Sequence, residues 1–380
     1  MKFSTTKKAL LPRMKLMLPV ILSKAPRPEL ECIKFTLIGD RLTLTATDLN
    51  TTLMETMEVN GHSSTVESII LHGRRFEQII NTLPYNDTID IEVIGETLTL
   101  KCLRSKFKVQ LMNLKEYPKQ PNSITTQNKL TISSHRLRSY AFKTLSTVST
   151  DTLRAVLTGV LFHLNTNQLT LVSTDSVMLS FVMDKQSVKY NGETDLQAIL
   201  PHKAIYSLNN SLLGEEDVPV TILFDPNYAE VRIGDTITIF TRLINGKYPA
   251  YKGIIPVDRE SKLVLNRKDL KDFVTRVSIS SNPLTHVVSF FIDKTNNNLT
   301  ITAEDSTCSA MGEDTLSFKA INIKEDMRIG INSMKLITLL KHIETEEVML
   351  EIKETMLPLI ITPVGSDIDT LNLLMPVKLT

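Results

Sequence analysis

The chain has 380 residues, with 43 Lys and Arg against 42 Asp and Glu, a formal charge of +1, 42% hydrophobic residues and no Trp. That length exceeds one ordinary core and suits two or three domains, and the balance of apolar and charged residues excludes a disordered or low-complexity chain. Nowhere do about 18 uncharged apolar residues run together and "MKFSTTKKAL" holds no long apolar run, so neither membrane spanning nor export is expected and a cytoplasmic location is.

In chain order, "TKKALLPRMKLMLPV" predicts an amphipathic helix from near Thr6, with Pro12 in its second turn as a source of a mild kink. "LTLTATDLN" (42–50) reads as a strand running into an acid, "GRRFEQIINTL" (73–83) as a second helix, and "TIDIEVIGETLTLKC" as paired strands. A polar, Pro-bearing border, "YPKQPNSITTQNK" (117–129), follows. The series then returns: "SSHRLRSYAFKTLSTV", "LTLVSTD" (169–175), "HKAIYSLNNSL" (202–212) and "VPVTILFDPNYAEVRIG", closed by "YPAYKGIIPVDRESK" (248–262). It returns again as "NRKDLKDFVTRVSIS", "LTITAED" (299–305), "SMKLITLLKHI" (333–343) and "VMLEIKETMLPLIITP". The second and third opening helices carry Ser or Asn at the N-cap position.

The copies keep register. Asp48, Asp175 and Asp305 are 127 and 130 residues apart, and Phe76, Ile205 and Leu336 are 129 and 131 apart. A repeat of that period means three copies of one unit. Each copy reads helix, three or four strands, helix, three or four strands, so the expected fold is α+β, with two helices covering antiparallel sheets in each of three domains, 1–122, 123–254 and 255–380.

Charge follows the elements. The helical segments 6–23, 72–83, 133–149, 201–213, 266–282 and 332–343 hold 16 Lys and Arg against 3 Asp and Glu, leaving 27 against 39 elsewhere. A single basic helix is commonly a solvated face, but six biased alike concentrate positive charge on one kind of element. That is a footprint for phosphate without base readout.

No catalytic constellation is visible. The repeated acid stands just past a strand, where Asp ordinarily bonds turn amides, and one acid per copy is not an acid–base pair. Neither GxxxxGK[ST] nor GxGxxG occurs, and His62, His72, His135, His163, His202, His286 and His342 show no ligand spacing. Cys32, Cys102 and Cys308 are too few and too scattered for a disulfide framework or a zinc site and read as free thiols. No enzyme activity, cofactor or metal is expected.

The fragments "MKF", "TDL" (47–49), "STDSVML" (173–179), "LINGKYPAYKGIIP" (243–256) and "LLMPVKL" (373–379), collinear with the repeat, resemble the bacterial DNA polymerase III beta subunit, the beta sliding clamp family. The resemblance spans the whole chain. It implies the DNA clamp fold, with each chain forming half of a six-domain ring closed by a head-to-tail homodimer. Such a ring encircles double-stranded DNA, slides, and tethers the replicative DNA polymerase. The clamp loader and other proteins carrying clamp-binding linear peptides are further implied partners. A divergent clamp paralogue serving repair or phage partners is the alternative, and catalysis on the repeated acids a more distant one.

By resemblance, Arg27 falls on a DNA-contacting loop, and Lys7, Lys8, Arg74, Arg75, Arg136, Arg138, Lys203, Arg267 and Lys335 are helical candidates for phosphate contact. The implied peptide groove takes Arg154, Leu157, Thr174, Ser176, Val177, Met178, Leu179, Pro249, Gly253, Ile254, Met356, Pro358, Leu373, Leu374, Met375, Pro376, Val377, Lys378 and Leu379. Its rim departs from the family pattern. Ser176, Val177 and Met178 replace the common Gly-His-Arg, and Gly253 replaces a basic residue, so a less polar rim and a shifted peptide preference are expected. The implied ring junction uses Phe107 and Val109 on one side and Ile279 on the other, with Ser280 where an apolar residue is common.

Overall fold

Six α-helices form, among the described residues, where the apolar stripes lie: α1 (Lys7–Met17), α2 (Gly73–Thr82), α3 (Ser134–Leu145), α4 (His202–Ser211), α5 (Arg267–Ser278) and α6 (Ser333–Lys341). The computed structural model describes residues 1–379 except Asn167, Ser187, Glu193, Thr194, Glu215, Val257, Asp258 and Cys308, and only the main chain of His62. The reading of Cys308 as a free thiol lies outside the described residues. Cys32 and Cys102 are buried free thiols, and burial pushes the Cys32 thiol up to about 11, which keeps it protonated and inert at neutral pH.

The helix starts explain themselves locally. Thr6 accepts from the Ala9 amide at 3.2 Å, Asn266 from Lys268 and Asp269 at 2.9 and 3.1 Å, and Asn332 from Lys335 at 3.0 Å. At α3 the expected Ser cap is present, Ser133 accepting from the Arg136 amide at 3.5 Å, and a carboxylate adds to it. Asp217, distant in sequence, accepts from the hydroxyls of Ser133 and Ser134 and from the His135 amide at 3.2 Å. Pro12 sits in the second turn of α1, exposed, and the helix continues through it.

Strands supply the rest. One antiparallel sheet runs Lys189–Asn191, Lys129–Ser133, Pro219–Phe224, Tyr228–Ile233, Ile237–Arg242, Thr51–His72, Lys2–Thr6, Thr88–Ile94, Thr97–Cys102, Ser105–Gln110, with Cys32–Thr47 paired to Thr51–His72. A second runs Leu196–Pro201, Gly159–Asn165, Gln168–Thr174, Met178–Asp184, Asp369–Leu374, Leu359–Pro363, Glu347–Ile352, Ser261–Asn266, Lys319–Asn322. A third runs Ala310–Ser317, Asn298–Asp305, Val287–Asp293, Met327–Asn332.

The chain packs as two compact units, Met1–Arg138 with Ser187–Thr194 and Leu200–Ile244, and Ser139–Gln186 with Asp195–Ile199 and Asn245–Thr380. Each unit therefore contains one junction between successive repeats, and the repeats join there by strand pairing. In the first unit Thr51 to Glu55 pair with Thr241 to Ile237. In the second, Met178 to Met183 pair with Leu374 to Asp369.

Apolar stripes close the cores. α1 buries Leu10, Leu11, Met14 and Met17, and α2 buries Phe76, whose ring meets Phe35 edge-on at 5.6 Å. In the second unit α5 buries Leu270, Val274 and Val277 and α6 buries Leu336, Ile337, Leu339 and Leu340, in one apolar cluster with Val288, Phe290 and Ile301 of the third sheet. The α+β architecture expected from the repeat is the one observed.

Candidate nucleic-acid surface and peptide groove

The observed helices are shorter than the sequence segments, yet all 16 basic and 3 acidic residues counted on the segments fall within them. What the sequence does not distinguish is which cations are already committed. Lys7 donates to the carbonyls of Asn81 and Leu83 at 2.5 and 2.8 Å, at the C-terminal end of α2. Arg267 does the same for α6, donating to Leu340 and Thr345 at 3.3 and 2.8 Å. A cation at a helix C-terminus satisfies orphan carbonyls and offsets the negative end of the dipole. Arg74 reaches the Leu18 carbonyl at 3.5 Å, and Arg136 is half-buried. Lys8, Arg75 and Arg138 are exposed on their helices, and so are Lys15, Lys268 and Lys341, which the same electrostatic argument includes. Arg27 is exposed on its loop, with one guanidinium nitrogen on the Glu116 carbonyl at 3.0 Å.

Lys203 and Lys335 hold the repeated acids. The Asp48 Oδ1 accepts the amides of Asn50 and Thr51 at 3.0 and 2.7 Å, while its Oδ2 takes Lys203 at 2.6 Å. Asp175 repeats the arrangement: Oδ1 takes the amides of Val177 and Met178 at 2.9 and 2.6 Å, and Oδ2 takes Lys335 at 2.5 Å. Each carboxylate thus folds its own turn and binds the second helix of the next repeat. Asp305 accepts the Thr307 amide at 3.0 Å. The turn role expected from sequence is present in all three, and the lysine partner of the first two is an addition.

The residues of the implied groove lie in the second unit and sort by depth. Leu157, Thr174, Leu179, Leu373 and Leu374 are buried. Arg154, Ser176, Pro249, Gly253, Ile254, Met356, Met375 and Lys378 are exposed, and Val177, Pro358, Pro376, Val377 and Leu379 are half-buried. Met178 departs from the rim position the sequence suggested: it is 6% exposed and belongs to the apolar core of the third repeat. The side chain of a strand's first residue, opposite Leu374, points into that core because alternate residues of a strand share a face.

Polar contacts shape the edges. The Arg154 Nη1 donates to the Ser176 Oγ at 3.0 Å, and Ser176 adopts φ 77, a left-handed conformation uncommon for a residue with a Cβ. Tyr248 and Tyr251 are buried and anchor the segment that exposes Pro249 and Ile254. Tyr251 lies 3.4 Å from the Nδ1 of His163, whose Nε2 is 2.5 Å from an Asp195 carboxylate oxygen. His163 carried no recognisable spacing in the sequence, since its partners come from two distant loops.

At the implied ring junction, Phe107 and Val109 are half-buried on the strand Ser105–Gln110, and Ile279 is 83% exposed just past α5. Among the described residues no cluster of His, Cys, Asp and Glu is arranged to hold a metal, and no helix is long and apolar enough to cross a membrane.

Family comparison matches the chain in three consecutive parts. The N-terminal, central and C-terminal domains of the DNA polymerase III beta subunit match residues 1–121, 131–250 and 252–378. The beta sliding clamp of Chlamydia muridarum is 29% identical, covering 100% of this chain and 99% of that protein, and that of Pseudomonas putida is 25% identical, with 100% of each covered. The crystal structure of the Pseudomonas aeruginosa sliding clamp bound to griselimycin superposes with a TM-score of 0.89 over 100% of both chains at 24% identity. The Thermotoga maritima beta subunit superposes at 0.88, again over 100% of both chains, at 21% identity. With all three family domains matched in order along nearly its whole length, the chain belongs to the DNA polymerase III beta subunit family, the beta sliding clamps.

Proposed function

We propose that two copies of this chain close head to tail into a ring around duplex DNA, and that the ring slides and tethers the replicative polymerase through the groove. The repeated junction is the observation that carries this. At both junctions inside the chain, the strand after the repeated acid pairs with the last strand of the next repeat. The strand after Asp305, Ala310–Ser317, and the last strand of the first repeat, Ser105–Gln110, are each bonded on one side only among the described residues. Open edges of this kind invite strand pairing. Met311 on the first edge and Ile279 beside it are 70% and 83% exposed, and Phe107 and Val109 on the second are half-buried, so a second copy repeats the junction and covers apolar surface.

The exposed cations of the helices support the channel wall. Phosphate contacts made singly by Lys and Arg hold a duplex without reading its sequence and leave it free to slide. The groove supports recruitment, since an apolar slot edged by prolines and methionines accepts leucine and aromatic anchors of many peptides. Tethering there raises the local concentration of the polymerase at its template. The clamp loader and other carriers of such peptides use the same slot. The Ser176, Val177 and Gly253 substitutions, the ones that remain at the surface, favour a partner set differing from the family's usual one, including that of a specialised paralogue. Light scattering during size-exclusion chromatography tests the assembly. At micromolar concentration the mass is expected at twice 42.8 kDa, falling to the single value for Ile279→Asp. A strict monomer contradicts the ring. A fluorescein-labelled pentapeptide with two leucines and a C-terminal phenylalanine, followed by anisotropy, tests the groove.

A further inference from the structure

We propose that Gly330 is a positioning residue for the peptide groove, because it seats the strap 375–379 that forms one of the groove's walls. The inference rests on the groove reading above. Gly330 lies in the strand Met327–Asn332, the outermost of its four-stranded sheet, with Ser289 opposite on the inner side. The strap takes the outer side. The Val377 amide donates to the Gly330 carbonyl at 2.8 Å, and the two residues form an isolated antiparallel bridge. Two residues earlier, the Met375 amide donates to the Val177 carbonyl at 2.9 Å, just past the end of the strand Asp369–Leu374. Pro376, between them, has no N–H to offer. The strap is thus pinned at one point to the turn after Asp175 and at another to the edge of the third sheet.

The seat works only without a side chain. A Cβ at Gly330 would overlap the Val377 carbonyl oxygen and stand 3.0 Å from the Leu379 Cδ2. The first of these is backbone, held by the same bridge, so it cannot turn aside as a flexible side chain would. Gly330 needs no left-handed φ, and space is therefore the whole requirement. Any larger residue moves the strap off the sheet edge and shifts Met375, Pro376 and Val377, which the groove exposes or half-exposes.

The test is a double-variant cycle on the full chain, read with the fluorescent pentapeptide. Gly330→Ala is expected to weaken binding at least about tenfold, and Val377→Pro, which removes the N–H of the bridge, to do the same. Both break one bridge, so the double variant should be no more than about twofold weaker than either single one, whereas independent structural damage would add. Hydrogen exchange at the Val377 amide should be slow in the parent and fast in Gly330→Ala. Parent affinity in Gly330→Ala, or additive losses, overturns the proposal. If Gly330→Ala fails to fold, Val377→Pro alone decides, and parent affinity there overturns it. A parent chain that ignores the peptide overturns the groove reading instead, and Val377 exchange in Gly330→Ala then decides the seat by itself.

Discussion

Replacing Asp175 by Ala removes three contacts at once. The amides of Val177 and Met178 lose an ionised acceptor at 2.9 and 2.6 Å, and Lys335 loses its partner at 2.5 Å. Both partners of the ion pair are largely shielded, at 17% and 31% side-chain exposure. Hydrogen bonds to charged groups contribute about 1.5–3 kcal/mol each, and relaxation of an exposed turn recovers part of that, so a loss of about 3 kcal/mol is expected. In a unit of this size that corresponds to roughly 6–12 °C in the midpoint of thermal unfolding. Asp175→Asn keeps an acceptor for the amides but turns an NH2 donor towards Lys335 in place of the second oxygen, and Lys335→Met removes only the pair, so each should cost less than Asp175→Ala, about 1 kcal/mol. Thermal unfolding followed by circular dichroism reads the order, and Asp48 and Lys203 should repeat it. If Asp175→Ala melts with the parent, or Asp175→Asn is as damaging as Asp175→Ala, the carboxylate is not the fold's device for building the turn.

Other outcomes follow from the same contacts. Burial, only partly offset by the Arg13 guanidinium, pushes the Glu55 carboxyl from its ordinary 4.5 up to about 7. The folded state therefore holds the proton more tightly than the unfolded one between those values, and stability should fall as pH rises from about 4.5 to 7. Glu55→Gln should flatten that fall and raise the melting temperature at pH 8, and an unchanged pH profile would contradict it. Arg75→Ala and Arg138→Ala, at exposed sites, should each reduce the salt dependence of DNA binding by about one unit of slope or less, with stability unchanged. Lys7→Met should instead lower stability by about 1 kcal/mol, because the carbonyls of Asn81 and Leu83 lose their donor.

The sequence reveals the repeat because three copies of one pattern reinforce each other where any single copy would be ambiguous. The helices announce themselves through apolar spacing, and their charge bias survives the trimming of their ends. Long-range chemistry is what the sequence hides. Asp217 caps α3 from 84 residues away at Ser133, and Lys203 and Lys335 resemble surface cations until their carboxylates are seen. Met178 reads as a rim residue when compared position by position with a polar family pattern. Its burial is decided by pairing with Leu374, a partner in the next repeat. Gly330 is one glycine among 13 in the chain, and only the strap lying against it gives it meaning.

Enclosure of DNA is tested most directly by topology. The chain is loaded with a clamp loader and ATP onto nicked circular DNA, and the bound fraction is followed before and after the circle is cut once. A closed ring is retained on the circle at a salt concentration that dissolves loose phosphate contacts, and runs off when the DNA becomes linear. Equal retention on both forms, or loss from both, would contradict it.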